Sequence, residues 1–244
     1  MTKETYSLTY GDREVSYSVL RNASRTNRIK IDVLPNGAVN VEAPDDATEH
    51  SIFKAVAKRS RWIVQHVEDA NNRFAHVLPR EYVSGEMVLY LGKRFMLKVI
   101  QSNASNSSVK LLRGALEVHV RDTAPSNVKA KMRAWYRVKS QSYFTRRLDE
   151  LLDRLPMSSS RPAFDLKHMS KRWGSCSVDG KLTLNPFLIK SPRECVDYVL
   201  LHELCHLIEH NHSPKFFALL DQHSPNWRRV KRDLDNMAEV IFNE

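Results

Sequence analysis

Residues 197–217 read DYVLLHELCHLIEHNHSPKFF. Val199, Leu200, Leu204, Leu207 and Ile208 recur at helical spacing, and strong helix formers fill the run. A helix with such an apolar side is expected to be buried. Yet it carries His202, Glu203 and His206, and each unpaired polar group in a core costs a few kcal/mol. Histidines at i and i+4 share one helical face about 6 Å apart. Both imidazoles can therefore reach one metal ion at about 2.1 Å. The five-residue pattern H-E-x-x-H also arises by chance, and a solvated His/Glu face is the alternative.

Glu203 follows the first ligand directly. It would point near an open coordination position and take a proton from metal-bound water. A third ligand must come from further along. His210 continues the i, i+4 row of a helix spanning 192–210. It lies about 12 Å from His202 along the axis, too far for one ion on a straight helix. Asn211 suits a left-handed C-terminal stop. His212 then precedes the Ser213-Pro214 helix start and can fold back. The spacing points to His202, His206 and His212, with His210 at the surface or behind a ligand. His223, Asp221 and Glu239 are weaker candidates.

The rest of the chain reads as α+β. Residues 5–44 hold two hairpin signatures, turned at Gly11-Asp12 and Asn36-Gly37. Ile52, Val56, Ile63, Val67, Ala70 and Phe74 predict one helix over 47–76. Strands return over 86–122, interrupted by the polar QSNASNSSV, whose Asn-x-Ser matches read as chance. DTAPSN at 122–127 marks a boundary between a β-rich region with one long helix (1–124) and a C-terminal domain (125–244). Beyond it come a basic helix over 127–155, a linker at 157–162 and a hairpin turned at Asp179-Gly180. Helices follow over 213–222 and 225–242, the last opened by Ser224-Pro225. No internal sequence repeat is visible.

Lys and Arg exceed Asp and Glu by 10, so polyanions are candidate partners, as against a merely solvated basic surface. Residues 129–147 and 227–236 interleave cations with aromatics. They could grip phosphates and stack bases, or be amphipathic helices with their aromatics in the core. The latter is the preferred reading. Three cysteines without CxxC spacing, no apolar leader and no bilayer-length apolar run predict a cytoplasmic protein that does not span a membrane.

RWGSCSVDGKLTLN (172–185), DYVLLHELCHL (197–207) and NHSPKFF (211–217) together closely resemble the YgjP-like zincin-like metallopeptidase family, which is similar to the SprT-like and WLM metalloproteases. The resemblance is strong over about 125–242. It implies a zincin-like C-terminal domain with an H-E-x-x-H active-site helix. It further implies one Zn²⁺, or another divalent metal, on His202, His206 and His212, with Glu203 as catalytic base. In such folds a strand edge beside the helix aligns extended substrate, and Trp173, Gly174, Ser175 and Cys176 would lie near it. Gly174 would permit close backbone approach. Cys176 is a candidate fourth ligand or inhibitory thiolate, though a packing role is the commoner one. Trp173 reads as core before substrate platform. Asn185 is a candidate partner of a ligand histidine, or a plain turn cap. Arg172, Tyr198 and His210 are candidate oxyanion donors.

Three functions follow. The first is a zinc peptidase acting on extended or unfolded polypeptide. The second is a nucleoside triphosphate pyrophosphatase on the same metal site. The third is a nucleic-acid-associated protein with a structural zinc.

Overall fold

The computed structural model describes residues 4–23, 28–34, 37–74, 79–103, 107–153, 155, 161–170 and 172–243. Asn36, the side chain of Phe74, residues 104–106 and 157–160 of the linker lie outside them. The chain divides into compact units at 78/79.

The first unit holds β1 (Glu4–Tyr10), β2 (Arg13–Arg21), β3 (Lys30–Val33), β4 (Val39–Ala43), α1 (Glu49–Ala57) and α2 (Ser60–Phe74). Its sheet runs β1-β2-β4-β3. Tyr17, Val19, Ile31, Val39 and Val41 alternate inward and meet Ile52, Val56 and Ile63 in the core. Two helices replace the single one expected over 47–76. Lys58 and Arg59 close the first with bonds to Lys54 and Val56 carbonyls. Val56 and Ile63 are one heptad apart, so the apolar phase runs unbroken through the join and periodicity alone misses it.

The second unit begins with β5 (Met87–Tyr90), β6 (Lys93–Gln101), β7 (Ser108–Leu112) and β8 (Ala115–Val120), ordered β5-β6-β8-β7. Both four-stranded sheets pair alike: first with second antiparallel, second with fourth parallel, third with fourth antiparallel. The structure thus repeats a topology where the sequence shows no repeat.

The second sheet packs on α3 (Pro125–Leu152), whose Val128, Met132, Trp135, Tyr136, Phe144 and Leu148 are buried. The Tyr136 hydroxyl donates to the Leu89 carbonyl at 2.7 Å. Residues 79–124, placed by sequence with the N-terminal region, therefore share a core with the histidine-bearing helix. Trp135, Tyr136, Tyr143 and Phe144 of the basic helix are buried in that core, which leaves them no face for stacking bases.

Downstream lie β9 (Phe164–Leu166), β10 (Gly174–Cys176) and β11 (Leu182–Leu184), ordered β10-β11-β9, then a 3₁₀ turn (Pro186–Lys190). The helices are α4 (Arg193–Cys205), α5 (Pro214–His223), α6 (Trp227–Asn236) and α7 (Ala238–Phe242). Arg147 on α3 grips Asp197 on α4 with two bonds, Nε to Oδ1 at 2.7 Å and Nη2 to Oδ2 at 2.8 Å. The expected helix over 225–242 is two, broken at Met237, and begins after Asn226 without a side-chain cap. No helix among the described residues is long and apolar enough to cross a membrane.

Candidate metal centre

Helix α4 buries Val199, Leu200 and Leu204 in the core. It ends at Cys205, a full turn earlier than expected, with His206 as its C-cap in right-handed conformation. Asn211 is not among the residues with positive φ, so no left-handed stop operates there. Ile208 lies past the helix end and is largely exposed. The early exit frees residues 207–212 to curl back, and Ser213 then caps α5 by accepting from the Phe216 amide at 3.3 Å.

The curl brings His212 onto the pair from α4. The ligating atoms of His202, His206 and His212 all lie within 4.8 Å of one another, a group that could hold a metal ion. The Nε2 atoms of His202 and His212 are 3.1 Å apart. Two nitrogens bound tetrahedrally at about 2.1 Å to one ion would be about 3.4 Å apart, so the spacing fits a shared metal. The His206 Nδ1 lies 3.2 Å from the Glu209 carbonyl. An N–H donated there leaves Nε2 with its lone pair for a metal. Phe216, fully buried, floors the triad, its ring centroid 4.9, 4.5 and 4.8 Å from those of His202, His206 and His212.

Electrostatics favour ligation. Burial, then His206, His212 and the Lys231 ammonium, push the His202 imidazole down to about 3. Burial likewise lowers His206, partly offset by its bond to the Glu209 carbonyl. Neutral imidazoles are the form that binds metal. Burial pushes the Glu203 carboxyl up to about 8, with the Arg172 guanidinium pulling weakly the other way. Glu203 is only 5% exposed, and its Oε2 is buried without a hydrogen-bond partner. An isolated buried carboxylate needs a cation or a donor nearby.

A groove of about 710 Å³ opens over the triad. Arg172, Trp173, Ser175, Cys176, Tyr198 and His210, all named from sequence, line it with Glu203 and the three histidines. The Trp173 ring stacks on Phe242 at 4.4 Å, so it belongs to both groove and core. Tyr198 is buried between His202 and Trp227. Cys176 is half-buried in the groove wall, outside the ligand cluster. Asn185 makes no hydrogen bond to a ligand histidine among the described residues. It accepts from the Phe187 amide and donates to the Met169 and Arg172 carbonyls. Asp221 pairs with Trp227 and Arg228, and neither His223 nor Glu239 joins the histidine cluster.

Sequence reasoning missed Phe216, Val178 and Lys231. Phe216 had one signal, an apolar residue at the third position of a capped helix. Lys231 had none, because only the return of α6 brings it to the groove. The cations of α6 are mostly engaged: Arg228 with Asp221, Arg229 with Glu194 and Asp233, and Lys231 itself with Asp235.

Three imidazoles converging at a helix exit, with a carboxylate one residue from the first and a groove above, define a metal-dependent hydrolase of the H-E-x-x-H kind. Residues 27–237 match the YgjP-like family, metallopeptidase domain, and the chain belongs to that family. Two solved structures are similar over a smaller part. The metallopeptidase zymogen of Methanocaldococcus jannaschii, jannalysin, is 23% identical with a TM-score of 0.34, over 38% of this chain and 93% of that one. The metallopeptidase zymogen of Pyrococcus abyssi, abylysin, is 20% identical with a TM-score of 0.32, over 40% of this chain and 94% of that one. No curated protein matches the chain.

Proposed function

We propose that the protein is a zinc-dependent peptidase in which His202, His206 and His212 hold the metal and Glu203 is the general base. The observation that carries this reading is a buried carboxylate with one unpartnered oxygen beside three convergent imidazoles, open to one groove. A zinc ion held there would supply Lewis acidity, acidifying water and polarising a carbonyl. The residues of the chain do the rest. Glu203 takes a proton at its carboxylate and returns it to the leaving amine; burial raises this carboxyl in the metal-free chain, and a cation held by the histidines would draw it back toward the ionised form a base needs. Strand β10 is one of the two outer strands of its sheet. Its open side suits an extended polypeptide added in β fashion. Arg172, Tyr198 and His210 line the groove and are the candidates to meet developing negative charge.

A closed structural zinc site takes four protein ligands, and among the described residues only three histidines gather. The nucleotide reading draws on Arg172 in the groove, since Lys231 beside it is already paired with Asp235. A paired assay on zinc-loaded protein, with Glu203→Gln as control, tests these readings. Cleavage of unfolded casein that the variant loses is the expected result. Intact casein with phosphate or pyrophosphate release that the variant loses would move the site to phosphoanhydride chemistry.

A further inference from the structure

The chain has seven glycines. Six of them, Gly11, Gly37, Gly85, Gly92, Gly114 and Gly180, adopt positive φ, where other residues are strained. Gly174 is the exception. Its backbone is one that any residue could adopt, so conformation gives no reason for glycine there. A neighbour does. A Cβ built at Gly174 would lie 2.6 Å from Oε1, 2.8 Å from Cγ and 3.0 Å from Cδ of Glu203. The side chain of Glu203 lies flat against the bare Cα of strand β10, in the space where any other residue would carry its Cβ.

Neither surface can easily retreat. Glu203 projects from α4, whose neighbouring Leu200, Leu204 and Cys205 are fully buried. Gly174 pairs with Leu184 in the three-stranded sheet. The chain just before it is anchored by Asn185, which is fully buried. The Asn185 amide N–H donates to the Trp173 carbonyl at 2.8 Å. Its side-chain NH₂ donates to the Met169 carbonyl at 2.7 Å and the Arg172 carbonyl at 3.1 Å. The stack of Trp173 on Phe242 adds a second anchor.

We propose that Gly174 is a positioning residue: its missing side chain seats the Glu203 carboxylate between the edge strand and the histidine triad. Asn185 holds the seat in place. This rests on the reading of Glu203 as base. Misplacing a reacting group by about 1 Å can cost about 100-fold in rate. Gly174→Ala should therefore lower kcat by about 10- to 100-fold, leave KM within about two-fold and leave zinc stoichiometry at that of the wild type.

Two double-variant cycles on the full chain test it. In the first, casein cleavage is followed for Gly174→Ala, Glu203→Asp and both together. Aspartate is shorter by one methylene and withdraws from the added Cβ. The loss caused by Glu203→Asp should be smaller in the Gly174→Ala background than in the wild type. In the second, melting temperature is followed for Gly174→Ala, Glu203→Ala and both, without reference to activity. The added methyl should lower Tm when Glu203 is present and have little effect when it is absent. That cycle also covers a single variant that folds poorly, because the double variant then recovers. Full additivity in both cycles, or an unchanged kcat in Gly174→Ala, would overturn the proposal. If Glu203→Gln still cleaves casein, the base assignment itself fails, and the catalytic role of Gly174 fails with it, whatever the stability cycle reports.

Discussion

Glu203 should make the metal-free protein less stable at alkaline pH, and Glu203→Gln should remove that penalty. The carboxyl has an ordinary value of 4.5 in the unfolded chain and is pushed to about 8 by burial in the folded one. The folded state therefore binds the proton more tightly. Below pH 4.5 the group is protonated in both states and contributes no pH dependence. Between 4.5 and 8 the unfolded state loses its proton while the folded state keeps it. Unfolding then becomes easier by about 1.4 kcal/mol per pH unit. Above about 8 both states are ionised and the penalty levels off at about 5 kcal/mol. Glutamine has nearly the same shape and does not titrate. The stability difference between variant and wild type should thus widen by about 3 kcal/mol from pH 6 to pH 8.5. His202 changes stability in the opposite sense below pH 6.5, since its folded value is depressed to about 3. It does so in both proteins and cancels in the difference. Urea denaturation with a chelator present, at half-unit steps from pH 5 to 9, gives the two curves. Parallel curves would refute the argument, because they would mean that Glu203 is solvated or paired in the folded metal-free chain. Bound metal should flatten the wild-type dependence, since a nearby cation favours the carboxylate.

Other outcomes follow from the same geometry. His212→Ala should lose zinc on dialysis, measured by metal analysis, whereas His210→Ala should retain it, because His210 lies outside the ligand cluster. Phe216→Ala should destabilise by about 3–5 kcal/mol through a buried cavity and weaken zinc binding by loosening the floor of the triad. Phe216→Leu should keep most of both, as urea titration and metal analysis would report. Of the three thiols, Cys195 and Cys205 are fully buried and pushed up to about 12 and about 11 by that burial. Native alkylation at pH 8 should label Cys176 alone, and slowly, since burial and the charge of Glu203 raise that thiol too. Mass spectrometry of the digest would show this.

What could be read from sequence was what depends on short stretches of chain. His202, Glu203 and His206 share one helical turn, so their convergence follows from helix geometry. His212 required only the judgement that the chain must turn before a third histidine could return. In the structure the chain does turn there, by another route: the helix stops at Cys205 and no left-handed Asn211 is involved. The breaks at Lys58 and Met237 were hidden because the apolar phase continues through them. The assignment of residues 79–124 depended on which helix covers the second sheet, a tertiary choice that α3 makes through Tyr136 and its apolar face.

Gly174 marks the boundary between these two kinds of information. Its glycine is visible in the sequence, but glycine usually signals a backbone need, and six of the seven here obey that rule. The seventh answers to a side chain 29 positions away, brought against it by the packing of β10 on α4. A pattern search sees the two motifs, RWGSC and HELCH, as separate signals. The contact makes them one device, in which the strand available to an extended chain also fixes where the carboxylate of Glu203 lies. Coupling of that kind predicts that changes at Asn185, which makes no hydrogen bond to a ligand histidine among the described residues, reach the reaction through the position of Glu203 and leave metal affinity alone.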